Sequence, residues 1–448
     1  MVSKPFRVIV VGGGPTGLTA AYALYHAGID FVVLERRADI VEDLGASLVL
    51  GPPSMRIFHQ FGIVDQLVDI SSEMLVNYAF TTDGKAFKCS RLFDLFFEYH
   101  GSRPLIFHRA HLIQTMYENL PAAAKARYFT GKKLAGIEPT DTGVTVTCED
   151  GSSYSGTVVL GADGTYSGTR RLMRELAIAE DPSREATWDP VNPFKTTYQC
   201  LWSSFPRPTE AGLSTETHST DRSAMYMSGK ERAWIFLYEK LPETTTERIA
   251  FSDKQLAAYA ERFSEWHLTE TIRVKDVYKE RLSAGASGLE EGICGNWSWG
   301  GRVVLAGDAA HKVTPNAGHG FNAGIQDVAV ICNKLRRLCA AAAPAVDFAA
   351  LERAFRDYRE ERLESLESDL KSSGMVTRMH SWASWWDWLV ARYIVPIKLF
   401  QKLFLVHIVT PLMSKGVVLD FIPATERFQG SYAWQYPMPK TVADGLPM

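Results

Sequence analysis

The chain is poor in the features that mark many function classes. Six cysteines are spread over 448 residues with no C-x-x-C pair. That excludes a disulfide framework or a zinc-finger spacing and makes a reducing compartment the expectation. Lys plus Arg number 48 against 51 Asp plus Glu, a net charge of −3. No basic excess calls for nucleic acid, so no nucleic-acid partner is expected. Met1–Pro5 is too short for a charged and then apolar leader, so no cleaved secretory signal is expected. No internal repeat of ~20–50 residues is visible, and no Ser/His/Asp or Cys/His arrangement stands out. His108, His111, His311 and His319 do not share a ligand spacing, so no metal is expected.

What the chain does have is ordinary globular composition, 46% hydrophobic and 22% charged, at a length that suits two or three domains. Phe6–Val11 is a β-branched run fit for a buried strand. Gly12-Gly-Gly-Pro-Thr-Gly17 follows, then Leu18, Ala21, Leu24 and Tyr25 at helical spacing, then Gly28. Asp30–Glu35 is a second strand ending in an acid. Gly12 suits a tight turn, Gly14 a close approach of backbone amides to a pyrophosphate, and Gly17 close helix–strand packing. Glu35 lies 35 − 12 = 23 residues on, near the ~20 expected for an acid that accepts from an adenosine ribose. This βαβ unit signals a dinucleotide without separating FAD from NAD.

The far half separates them. Arg302–Ala306 reads as a strand ending in Gly307-Asp308, 308 − 12 = 296 residues from the first motif. A second acid at a strand end suits a second polyol, the ribityl chain of FAD. A helix starting after Gly318, in Gly318-His-Gly320-Phe321-Asn322, points its positive end at a flavin ring.

Gly12-x-Gly14-x-x-Gly17, Gly161-Ala-Asp163-Gly164…Arg170 and Gly307-Asp308-Ala-Ala-His311…Pro315 resemble, in order, the three fingerprints of group A FAD-dependent monooxygenases, the para-hydroxybenzoate hydroxylase type. Gly45-Ala-Ser-Leu48 before Met55–Gly62, and the Trp-rich C-terminus, are similar to the fungal branch that acts on meroterpenoids and indole diterpenes. The resemblance implies an α/β fold: a Rossmann-like FAD-binding domain, an interleaved β-sheet substrate domain and a C-terminal apolar helical segment. It implies FAD contacts at Glu35, Val49, Arg109, Asp308, Gly320 and Phe321. Val49 and Phe321 stand where the branch often has Gly and Ala, which reshapes the flavin-side pocket. It further implies NADPH (or NADH) as reductant, O2 as co-substrate, and epoxidation of a prenyl double bond through a flavin C4a-hydroperoxide. Phenol hydroxylation and prenyl reduction are the rival reactions.

Other candidates keep two readings each. Arg109 is a phosphate-binding cation or a solvated helix-start arginine. Asp163 bridges cofactor regions or only shapes its turn. Tyr226, in Ala224–Ser228, is the catalytic candidate, orienting substrate, or is a core tyrosine. The expected domains are residues 1–180 and 291–345 for FAD, 181–290 for a β-rich substrate layer, and 346–448 for the helical segment, with a loop at Ala340–Pro344. Trp382, Trp385, Trp386 and Trp388, followed by apolar residues with Arg392, Lys398 and Lys402 between them, fit an interfacial helix. They fit equally a helix pair covering the β-layer or a second subunit. The charge-free run Leu403–Ser414 is short of the ~20 residues a spanning helix needs. Membrane association facing the cytosol is the stated expectation, a soluble cytoplasmic protein its alternative; the small-molecule partner is a prenylated substrate, and the oligomeric state stays open.

Overall fold

The computed structural model describes residues 6–43, 45–341 and 347–440. Arg7–Val11 is a strand whose last four residues are buried, with parallel neighbours on both sides. Full burial on two faces is why its β-branched residues run without alternation. The six-stranded sheet runs Ser298–Trp299, Val303–Leu305, Val158–Gly161, Arg7–Val11, Asp30–Leu34 and Tyr128–Phe129. Three sequence-distant segments therefore end side by side at Val11, Gly161 and Leu305. Helix Pro15–His26 buries Leu18 and Leu24 completely, each worth roughly 1.5–3 kcal/mol of transfer free energy, while Tyr22 stacks on Phe61 and donates to the Met116 carbonyl at 2.7 Å.

The second layer is an eight-stranded sheet: His311–Lys312, Ser283–Ile293, Lys195–Pro206, Arg232–Thr245, Arg222–Ser228, Leu213–Ser219, Val76–Thr81 and Ala86–Ser90. Its last two strands come from the N-terminal third of the chain, which makes the substrate layer interleaved. Alternation divides its side chains between two faces. Leu201, Phe205, Tyr226 and Leu237 pack on Tyr259 and Phe263 from helix Asp253–Glu261 and the segment after it. Tyr198, Met227, Trp234, Phe236 and Tyr238 lie on the other side with Ile106, Val49 and Met225 against them. The stretch from Thr196 to Leu282 reads as strand in sequence, yet it also holds helices Asp253–Glu261 and Val274–Tyr278. The first starts in a capping box of Ser252 and Gln255, a local signal that wins over the surrounding β-propensity.

Helix His319–Ala341 follows Gly318 as its spacing implies, and helix Phe348–His380 packs beside it. The helix runs on through the expected loop at Ala340, and residues 342–346 lie outside the described residues. Beyond Trp382 the chain breaks into Trp385–Leu389, Lys398–Phe404 and Thr410–Ser414, each leading into or out of a π-helical turn. The expected membrane association is corrected here. Among the described residues no helix is long and apolar enough to cross a membrane; the aromatic run is interrupted at Pro396, between Val390–Ile394 and Lys398–Phe404.

The final segment straps back over the parallel-sheet domain. Arg56, fully buried, donates to Glu426 at 2.8 Å and to the Tyr436 carbonyl at 2.6 Å, with the Trp434 ring 4.2 Å from its guanidinium. Gln60 donates to the Leu419 and Ile422 carbonyls, both at 2.7 Å.

Candidate functional site

The glycine turn is built by close approach. Gly12 has φ +102°, and a Cβ there would stand 2.5 Å from the Ala162 carbonyl oxygen. A Cβ on Gly17 would stand 1.9 Å from the Gly12 carbonyl oxygen. Gly14 differs: it caps helix Pro15–His26 in extended conformation, and nothing lies within 4 Å of where its Cβ would be. That open space sits over the positive end of the helix, where a phosphate fits. Glu35, 7% exposed at the end of the second strand, accepts from the Gly13 amide at 2.6 Å and the Arg37 amide at 2.9 Å. One acid is thus anchored beside the turn with lone pairs left for ribose hydroxyls.

The three motifs meet around this turn. Ala162 and Asp163 back onto Gly12, and Gly307, at φ +61°, lies against Thr16. Arg170 ties the second motif to the third by donating to the Thr165 and Ala309 carbonyls, both at 2.8 Å. Asp308 takes the Lys312 ammonium and the Thr165 hydroxyl on one oxygen. Arg109 begins the helix after strand Leu105–His108, and its guanidinium has no hydrogen-bond partner among the described residues. Burial pulls its pKa down and Arg37 adds to that, while Asp308, Glu42 and Glu35 pull it back up. A desolvated cation without a hydrogen-bond partner among the described residues, in the field of three acids, is a ready partner for phosphate.

On the far side, Gly318 at φ +71° ends a turn that leads into helix His319–Ala341. Asn322 binds this start to the first domain: its amide donates to the Val49 carbonyl at 2.8 Å and its oxygen accepts from the Gly51 amide at 3.0 Å. Val49 lies between that turn and the eight-stranded sheet, as a flavin-side wall would. Gly320 is in the first turn, with its Cβ position 3.9 Å from Asp308 Oδ1. The Phe321 ring packs on Phe58, 6.5 Å between centroids, so its backbone and not its ring is what the helix start offers.

Two further sequence-derived site residues have partners of their own. Asp163 accepts from Ser167 Oγ at 2.5 Å and from the Thr169 amide at 2.9 Å, which ties its turn to the start of helix Gly168–Glu180, where Ser167 is the N-cap. Tyr226 is fully buried on the face that meets helix Asp253–Glu261, and its hydroxyl pairs with Thr209 at 2.6 Å. Its neighbours Met225 and Met227 face the other side. Tyr226 is a core residue, so Tyr226→Phe is expected to cost about 1 kcal/mol of stability and leave oxygenation rates within twofold; a tenfold rate loss at full stability would return it to the site.

The structure also brings together residues that no spacing flagged. Asp327 is fully buried and accepts from the Gly307 amide (2.8 Å), His311 Nε2 (2.6 Å) and Arg362 Nε (2.8 Å). His311 and Arg362 pull its pKa below the usual carboxylate range against the cost of burial. Glu216, His218 and His380 converge on the sheet face that carries Met225. At the Ile106 end of that face a cavity of about 200 Å3 opens beside His108 and Trp234. Asp43 joins His108 (2.9 Å) to Arg232 (2.7 Å) there.

An anchored acid, open space at a helix N-terminus, a free arginine and a second helix start make a donor set that fits FAD. Comparison with known proteins agrees. Residues 6–362 match the FAD binding domain family. The chain is 33% identical to the FAD-dependent monooxygenase ausM of Penicillium brasilianum, over 87% of this chain and 82% of that one. It is 30% identical to the FAD-dependent monooxygenase penE of Penicillium thymicola, over 96% and 91%. In fold it is similar to Klebsiella pneumoniae HpxO, solved in complex with FAD and uric acid, with TM-score 0.69, 21% identity, and 91% and 96% of the two chains covered.

Proposed function

The chain belongs to the FAD-dependent monooxygenases, and we propose that within that family it epoxidises a carbon–carbon double bond of a large, prenylated fungal metabolite. The carrying observation is the apolar face of the eight-stranded sheet. Trp202, Met225, Met227, Trp234 and Phe236 share it, and Asn316, in the turn just before Gly318, reaches Met225 Sδ at 3.8 Å. A face of that chemistry, next to the turn that closes the flavin site, suits a hydrocarbon chain and keeps water away from it.

When bound, FAD would supply the redox chemistry, with electrons from NADPH or NADH and one electrophilic oxygen atom from O2. The chain's own residues hold and shield. The Gly12–Gly17 turn with Arg109 holds the pyrophosphate, Glu35 the adenosine ribose and Asp308 the second polyol. The start of helix His319–Ala341 lends its positive end to negative charge on the ring. Oxygen transfer to an isolated alkene needs no general base, so the apolar surroundings are sufficient. Ring hydroxylation of a phenol is the second reading, because Glu216, His218 and His380 supply titratable groups on the same sheet face.

The test is incubation of the flavin-loaded protein with NADPH and 18O2 over a panel of prenylated phenols. Addition of one labelled oxygen at a prenyl carbon supports the proposal. A labelled ring hydroxyl selects the second reading, and a saturated prenyl chain without oxygen uptake overturns both.

A further inference from the structure

One cross-strand row runs over the inner face of the eight-stranded sheet. Lys88 faces Ala79, Ala79 faces Glu216, Glu216 faces Met225, and Met225 faces Phe236. Residues directly opposite one another share a face with Cβ atoms roughly 5 Å apart. The row therefore passes, within one strand spacing, from the apolar floor at Met225 to a buried charged group. Glu216, 5% exposed, takes the Lys88 ammonium on one oxygen. On the other it takes Nε2 of His218, at 3.1 Å, and Nε2 of His380. The two imidazoles stack at 4.6 Å between centroids. His380 comes from the end of helix Phe348–His380, whose Thr377 hydroxyl pairs with Thr314 beside the flavin turn at 3.0 Å.

A carboxylate only accepts, so Glu216 fixes a proton of each imidazole on Nε2, and in a neutral ring that leaves Nδ1 as the acceptor. Both Nδ1 atoms are buried and have no partner among the described residues. Burial holds His218 neutral, its pKa pushed down to about 4. A bound metal ion is the other use for two histidines and a glutamate. Against it, Lys88 already neutralises the carboxylate, and metal-bound histidines ordinarily give their second nitrogen a partner. Two oriented, unsatisfied ring nitrogens beside a carboxylate that lies one strand from Met225 instead want a polar group that arrives with the ligand, and the neutral His218 ring wants a donor.

We infer that His218 and His380, oriented by Glu216, form the hydrogen-bonding end of the substrate site and receive a hydroxyl group of the substrate. This rests on the proposed oxygenation of a large apolar molecule and narrows it. Met225 lies one strand from Glu216 and 3.8 Å from Asn316, so the hydroxyl and the reacting double bond lie on the order of 10 Å apart. A ligand of that span is a prenylated or polycyclic alcohol or phenol, not a single ring. His218 and His380 act here as positioning residues.

The test titrates the flavin-loaded protein with 2-farnesylphenol and with its methyl ether, read by perturbation of the flavin absorbance. The wild type is expected to bind the phenol about tenfold more tightly. His380→Phe should erase that preference by weakening the phenol alone. The double variant Lys88→Met with Glu216→Leu, which removes both charges together, should do the same with the fold intact. Equal affinity for the two probes in the wild type, or a preference that survives both changes, overturns the inference. Calorimetry with Zn2+ on the same protein is expected to show no binding; a stoichiometric site lost in His380→Phe would assign the cluster to a metal instead. Product analysis with NADPH and O2 tests the oxygenation separately, since the affinity ratio does not depend on turnover.

Discussion

Asp327→Ala is expected to remove about 3–5 kcal/mol of folding stability and to release FAD. The carboxylate is fully buried and is the partner of Arg362 Nε at 2.8 Å and His311 Nε2 at 2.6 Å, both themselves buried. Removing one member of such a set leaves charge in the interior without compensation, which is where losses of that size arise. The same carboxylate accepts from the Gly307 amide at 2.8 Å, next to Asp308, so unfolding and cofactor loss should go together. Urea denaturation with flavin fluorescence as a second probe measures both; a loss under 1 kcal/mol would refute the clamp. The acid dependence follows from the depressed pKa. A carboxylate held below its unfolded value contributes fully above about pH 4, and the contribution is lost as pH falls below that. Asp327→Asn should therefore flatten the wild-type decline in stability below about pH 4.

Much of the cofactor site was legible because it is local. The βαβ unit needs only a strand, a glycine turn, a helix and an acid within about 30 residues, and Gly12, Gly17 and Glu35 stand where that logic puts them. The Asp327 clamp was not legible: Arg362 is 362 − 327 = 35 residues away on another helix, and a charged residue on a helix reads as a solvated one. The cluster of Glu216, His218 and His380 spans 380 − 216 = 164 residues and exists only once helix Phe348–His380 crosses the sheet. Tyr226 was misplaced for a different reason. Both faces of its strand are apolar, so alternation told which residues share a face but not which face meets the helices. In the C-terminal segment the aromatic run was visible, and the break that divides it falls at Pro396, where a helix loses an amide donor.

The glycine turn gives the second large effect, because two of its glycines are required for different reasons. A methyl group on Gly17 would sit 1.9 Å from the Gly12 carbonyl oxygen. Backbone lies on both sides of that contact, so helix Pro15–His26 must slide outward from the sheet. Overpacking of this kind typically costs about 1–3 kcal/mol, and the slide also moves the helix end away from the pyrophosphate. Gly17→Ala is therefore expected to lower both the melting temperature and FAD affinity, the latter by about 100-fold, or roughly 2.7 kcal/mol. Gly14 has nothing within 4 Å of its Cβ position and already adopts φ −69°. Gly14→Ala should leave the apoprotein within about 1 kcal/mol of wild type, the usual difference at a helix N-cap. It should nonetheless weaken FAD to a similar degree, since its methyl group would fill the space the phosphates need. Fluorescence titration of the apoproteins with FAD, set beside their melting curves, separates the two. If Gly14→Ala binds FAD like the wild type, the phosphates do not lie over Gly14, and the cofactor must enter the turn from another side.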